Sequence, residues 1–274
     1  MTFDARENSL ASGQPITLFG FQRGTQQWNY TNGDRSLLHL GRTYDAIRGG
    51  LAIDGGISQG GDAGTEKVTI VAPGDLEVAQ LYRGIPPSDS VFLIIYDRHF
   101  GDDEYRVSWT GEIESVSWPA VDRCKILCVP ESISMQEQGL RLRWERGCPH
   151  CLYERGCYVD RYAYAVEDSI VSMNATAITV SAAAAHTDGW FNAGYVEWSI
   201  GNSNFERRAI EQHIGNQLTL LGGTSGLSPS TNITLFPGCD QTPTTCNSKF
   251  SNILNYGGVH HMPGRSPFDG NPFF

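Results

Sequence analysis

The sequence predicts a mainly β protein made of two or more barrel- or sandwich-like units, followed by an irregular but ordered C-terminal tail. Three observations carry this reading. Apolar residues fall in short runs separated by Gly, Asn, Asp, Ser and Pro, with 31 glycines in the chain. That punctuation marks many short strands rather than long helices. A length of 274 residues suits two domains or one large β domain. Finally, four cysteines lie in two distant, turn-rich loops: Cys148 and Cys157 in one, Cys239 and Cys246 in the other.

Element by element, residues 1–35 read as an irregular or short-helical start with one strand at Ile16–Phe21. Leu37–Leu40 and Tyr44–Ile47 follow, then a Gly-rich stretch. Lys67–Val71 reads as a strand and Asp75–Tyr82 as a short helix with Asp75 at its N-cap. Val91–Tyr96 reads as a buried strand. Tyr105–Trp109, Glu112–Trp118 and Arg123–Cys128 complete an antiparallel meander over 91–128. Ala177–Ser181, Trp190–Ile200, Glu206–Glu211, Gln217–Leu221 and Asn232–Phe236 form a second strand set, a small all-β barrel or sandwich. The tail from Pro237 carries Phe250, Ile253, Leu254, Tyr256, Phe268, Phe273 and Phe274. That is too apolar for a disordered tail, so it is expected to pack on another surface. The divisions are therefore 1–146, a first cysteine loop at 147–162, a barrel at 163–236, and a second cysteine loop with the tail at 237–274.

The net charge of −10 argues against nucleic-acid binding, which needs a basic surface to replace counterions. The longest apolar run, Val91–Tyr96, is too short to span a bilayer. The first residues show neither a basic nor an apolar leader region. The expectation is folding in a reducing cytoplasm, where the seven cysteines read first as thiols or metal ligands. Cys124 and Cys128 share one face of a strand and read as small buried hydrophobes.

The loop cysteines read differently, because Pro, Gly and Asp do not build a core around a sulfur. Four thiolates from two loops suit zinc or an iron–sulfur cluster. Cys148 and Cys151 also form a C-x-x-C, but no second one accompanies it. The spacings, nine and seven positions, are wide for a zinc ribbon. His150 reads as a residue behind the ligands, donating to a sulfur. His260 and His261, on an extended chain, would point in opposite directions. Gly101–Glu104 reads as a solvent-facing acidic turn. No G-x-S-x-G, H-E-x-x-H or P-loop is present, so the expectation is a protein that is not an enzyme.

The stretch Phe236-Pro-Gly-Cys-Asp240, Cys246-Asn-Ser-Lys-Phe250, Asn252, Asn255-Tyr-Gly-Gly258 and Pro263-Gly264 resembles the C-terminal signature of phage tail-tip hub proteins. These include the hub proteins of siphophages and gene transfer agents. Cys148-Pro-His150 with Leu152-Tyr153 and Cys157 is similar to the family's other cysteine loop. The resemblance implies a structural ring, a homotrimer, that closes the distal end of a tail tube and links it to a baseplate or central fibre. It implies a four-iron–four-sulfur (4Fe-4S) cluster on Cys148, Cys157, Cys239 and Cys246, with zinc as the alternative occupant. Cys151 departs from the pattern, so Cys148 and Cys151 both stand as the first ligand. Implied partners are copies of the chain, the distal tail protein, a central fibre or baseplate protein, and the tape-measure protein. The implied location is the tip of a virion tail assembled in the host cytoplasm. The alternative is a tail-associated enzyme or a redox iron–sulfur protein.

Overall fold

A computed structural model describes residues 3–9, 11, 13–57, 67–136, 142 and 144–262. The chain separates into two compact units. One comprises Met1–Glu137 with Gly201–Asn204, and the other comprises Gln138–Ile200 with Phe205–Phe274.

In the first unit a short helix, α1 (Phe3–Glu7), precedes β1 (Pro15–Arg23), β2 (Gln26–Thr31), β3 (Leu37–His39), β4 (Arg42–Ala46), β5 (Ala52–Asp54) and β6 (Val68–Pro73). Then come α2 (Glu77–Gln80), β7 (Phe92–His99), β8 (Tyr105–Ala120) and β9 (Arg123–Pro130). The nine strands form one sheet in the order β3-β4-β2-β1-β7-β8-β9-β6-β5. Pairing is antiparallel except between β2 and β4, where Tyr30 lies beside Asp45. Alternation fixes which side is buried. In β6, Val68, Ile70 and Ala72 point into the core, and in β9 so do Cys124, Ile126 and Cys128. Both of these thiols have no exposure. Burial pushes Cys128 up to about 12 and raises Cys124 as well, so both stay protonated.

The predicted meander over 91–128 is present, but with three strands instead of four. Tyr105–Trp109 and Glu112–Trp118 are one strand, β8, that bulges against both neighbours. Gly111 lets it continue, because a Cβ there would sit 2.0 Å from the Val129 carbonyl oxygen and 2.4 Å from the Trp109 ring. The short helix begins at Glu77, and no side chain caps it; Leu76, not Asp75, holds the N-cap position. The acidic turn is partly tied down: Asp102 pairs with Arg6 at 3.0 Å and accepts the Glu104 N–H.

The second unit contains β10 (Val166–Met173), β11 (Ala177–Val180), β12 (Tyr195–Gly201), β13 (Asn204–Ile214), β14 (Gln217–Leu220) and β15 (Asn232–Phe236). They close into a barrel in the order β10-β11-β14-β13-β12-β15. Closure leaves no free edge. Its interior is filled by Ile170, Ile178, Val180, Phe191, Val196, Leu218 and Leu235, among others. β10 and β15, the first and last strands, are hydrogen-bonded neighbours with Val166 opposite Leu235. The two cysteine loops leave the barrel from these adjacent ends.

Beyond the barrel the chain is more regular than expected. α3 (Pro243–Phe250) and a single 3-10 turn at Ile253–Asn255 occupy the second cysteine segment. Phe268, Phe273 and Phe274 lie outside the described residues.

Candidate metal centre

The structure places Cys148, Cys157, Cys239 and Cys246 on the wall of one cavity of about 400 Å³. His150, Leu152, Val159, Gln241, Phe250 and Asn255 complete much of its lining. Cys148, Cys157 and Cys246 are buried and Cys239 is half-buried. Cys151 is exposed and does not line the cavity, which separates it from Cys148. Among the described residues no three His, Cys, Asp or Glu side chains converge as the ligands of a single metal ion do.

Backbone hydrogen bonds bring the loops together. The Cys148 N–H donates to the Gln241 carbonyl at 3.0 Å, and the Val259 N–H to the Glu145 carbonyl at 2.9 Å. The Tyr256 hydroxyl donates to the carbonyls of Arg146 and Gln241. Asn252 joins one cysteine of each loop. Its side-chain amide donates to the Cys157 carbonyl at 2.6 Å, and its backbone N–H donates to the Cys246 carbonyl at 3.0 Å. Underneath lies a small apolar cluster of Cys157, Val159 and Phe250, backed by Tyr153 and Tyr164. Tyr153 anchors it by donating to the Pro237 carbonyl at 2.6 Å.

The local sequence explains how the cysteines are presented. Asp240 accepts hydrogen bonds from the Thr242 N–H at 3.0 Å and its hydroxyl at 2.8 Å. Thr242 then caps α3 by accepting the Thr245 N–H, with Pro243 in the first turn, so Cys246 arrives on a fixed helix. Ser251 closes α3 in the left-handed region (φ 50°) and turns Asn252 back towards the site.

The glycines of the two motif runs are points of close approach. A Cβ on Gly238 would stand 2.0 Å from the Asn192 carbonyl oxygen and 2.3 Å from the Gly194 nitrogen. The His150 ring is sandwiched between two others: a Cβ on Gly156 or Gly257 would lie 2.4 Å from a ring nitrogen. His150 thus holds its place by packing against bare backbone. His260 and His261 do not diverge as an extended chain would require. They sit in a turn with ring centroids 3.9 Å apart.

Electrostatically the pocket disfavours charge on two of its thiols. Burial raises the Cys239 and Cys246 thiols, and the neighbouring cysteines raise them further. Lys249 lies alongside, donating to the Gly238 carbonyl at 2.7 Å and to the Trp190 carbonyl. Burial depresses it to about 8. Burial opposes the charge on Asp240, but its hydrogen bonds from Thr242 and Thr245 win and hold the carboxyl below its usual range.

Sequence reading named the four cysteines and His150. It missed the positioning roles of Gln241, Asn252 and Ala193, the last held at φ 58° on the cavity wall. The Pro-Gly-Cys-Asp run was a usable signal for the first of these, because a left-handed residue (Gln241, φ 60°) closes its turn.

Residues 189–266 match the family model described as "Phage conserved hypothetical protein BR0599". That segment contains both the Pro-Gly-Cys-Asp and the Asn-Tyr-Gly-Gly runs, so the phage resemblance read from them holds. An uncharacterized protein of Xylella fastidiosa (strain 9a5c) is 25% identical over 189 residues, 63% of this chain. The chain spans 38% of that relative's length. Among solved structures, a chain of the "Virion of native gene transfer agent (GTA) particle" superposes with a TM-score of 0.79 at 18% identity. The match covers 98% of this chain and 95% of that one. This chain has the fold of a gene transfer agent virion chain. The likeness takes in both the nine-stranded sheet and the barrel with its cysteine loops.

Proposed function

We propose that this protein is a structural hub of a phage-type tail tip, a ring of three copies that closes the distal tail tube. In this reading a four-iron–four-sulfur cluster on Cys148, Cys157, Cys239 and Cys246 fastens the two cysteine loops. The observation that carries the reading is a full-length fold shared with a virion chain, combined with four thiols around one cavity. A cluster carries one thiolate on each of four irons, so its sulfurs stand farther apart than those sharing a single zinc at ~2.3 Å. That suits four thiols spread over a cavity wall better than a single-ion site does. When bound, the cluster would supply four iron–thiolate bonds between segments that are distant in sequence.

The chain's own residues do the rest. Tyr256, Gln241 and Cys148 hold the loops in register, Asn252 ties Cys157 to Cys246, and Phe250 with Val159 keeps one side dry. The distal tail protein, a central fibre or baseplate protein and the tape-measure protein are the partners this role requires. An acidic chain at net charge −10 lets DNA pass without sticking.

Two measurements test this. Chain purified without oxygen should be brown and contain iron and sulfide; a colourless chain with stoichiometric zinc would sink the cluster while leaving the hub. Electron microscopy of intact particles should show three copies in a ring at the distal end of the tail. Density for this chain at the capsid or along the tube would reject the hub.

A further inference from the structure

The β3–β4 hairpin is fastened to its sheet at two places. At its base, β4 runs beside β2, with Asp45 and Ala46 next to Tyr30 and Thr31. β3 is the end strand, so no further strand holds the hairpin. At its tip, Leu40 (φ 49°) and Gly41 (φ 75°) make the turn, while Leu38 and Leu40 face solvent. Only His39 and Tyr44 of the two strands are fully buried. The His39 ring meets Tyr44 at 5.7 Å, Tyr96 at 5.0 Å and Tyr105 at 4.7 Å between centroids. Alternation along β7 sends Leu93 and Ile95 into the main core, so Tyr96 stands on the opposite face of the sheet. His39 is therefore the peg that holds the hairpin tip on that face.

Arg98 completes the fastening. Its Nη1 donates to the Leu38 carbonyl at 3.3 Å and to His39 Nδ1 at 3.4 Å. An arginine side chain has donors only, so this contact fixes the tautomer: Nδ1 accepts and the proton sits on Nε2. Nε2 is buried and meets no hydrogen-bond partner among the described residues. A second proton must enter at Nδ1. It would set N–H against N–H, and an imidazolium against a guanidinium. The groups facing the ring are Arg98 and Tyr96 from β7, Tyr105 from β8, and Tyr44 and Arg42 from β4, with Arg42 opposite His39 in register. No carboxylate among the described residues pairs with the ring; Asp103 approaches only Arg98, at 3.8 Å from Nη2, and is exposed. We infer that the hairpin is an acid-released flap: a proton on His39 lifts the tip off Tyr96 and Tyr105 while the β4–β2 base holds. Opening bares those two rings beside the half-exposed Val107, which pairs with Tyr96, and makes a contact surface available only in acid.

The sign follows from the two states. Above pH ~6.5 neither the open nor the closed flap takes the proton, and the opening constant is flat. Below that, the open flap takes it and the closed one resists, so opening rises by up to about tenfold per pH unit. It levels off only once the closed ring is protonated too. Amide hydrogen exchange of the full chain between pH 7.5 and 5.0, corrected for the intrinsic pH dependence of exchange, tests this. Protection over residues 37–46 should hold steady and then fall below about pH 6.5, while β6–β9 stay protected. His39→Gln, which keeps an acceptor for Arg98 but does not titrate, should keep hairpin protection flat. Exchange at the imidazole C2 carbon, read on the same peptide of the unmodified chain, follows the titration of His39 itself and needs no variant. Three results overturn the inference: hairpin protection that ignores pH, a fall that persists in His39→Gln, or a protonated His39 under a hairpin that stays protected. Loosening of β6–β9 in step with the hairpin also overturns it, since that is global unfolding.

Discussion

Gly238 carries the tightest restraint in the second cysteine loop. The backbone of Asn192–Gly194 occupies the space a side chain would need. Gly238→Ala therefore forces main chain apart and should cost at least about 3 kcal/mol, the upper range for overpacking. Chemical denaturation should show it, and Lys249→Met should cost less, since burial already disfavours the charge on Lys249. A second residue-scale prediction concerns pH. His39 is buried beside Arg98, and burial first, then the Arg98 charge, push its pKa below 6.5. The unfolded chain thus binds the proton more readily than the folded one. The stability contributed by neutral His39 is present above pH ~6.5 and is lost as pH falls towards the depressed native value. His39→Gln should flatten the fall in melting temperature between pH 7.5 and 5.5; an unchanged slope would assign that fall to other groups. At this scale sequence reading found the sulfurs but not their spacing, because a glycine's role depends on which distant backbone comes against it.

α3 is the element on which the second pair of cysteines depends. Its start is written locally, in Asp240, Thr242 and Pro243, and its end in the left-handed Ser251. Thr242→Ala should destabilise the second unit by about 1 kcal/mol, and Thr242→Ser should restore most of that. Thermal melts of the three proteins check the order. Sequence reading took this stretch as irregular, since eight residues with a weak apolar face give no clear period. It also missed β2 and β10. Both alternate imperfectly: β2 ends on two consecutive buried residues, Tyr30 and Thr31, and β10 shifts register between Ile170 and Ser172. It divided β8 at Gly111, where glycine normally signals a turn. Here the glycine admits the Trp109 ring. Among the strands that were found, β6, β7, β9 and β11 show the cleanest alternation or short apolar runs.

For the whole molecule, all four candidate ligands belong to the second unit and none to the first. On the proposed cluster reading, removing iron with a chelator should therefore lower the melting of the second unit and leave the sheet of the first nearly unchanged. Hydrogen exchange read on peptides from β6–β9 and from β10–β15 separates the two, and equal loosening of both would contradict it. The mainly β class and the barrel were legible in the chain because turn residues and short apolar runs recur along it. The nine-strand order was not, because β4 beside β2 and β6 beside β9 are pairings between distant segments that no local pattern encodes.

The barrel's first and last strands are neighbours, and just outside them the two cysteine loops are laced together. Mechanically this is a shunt. A pull on the chain from before Glu145 to after Val259 passes through the lacing between Cys148 and Gln241 and between Cys157 and Asn252, and the barrel bears none of it. Some eighty residues, roughly 280 Å of extended chain, stay in reserve behind that fastening and pay out only after it ruptures.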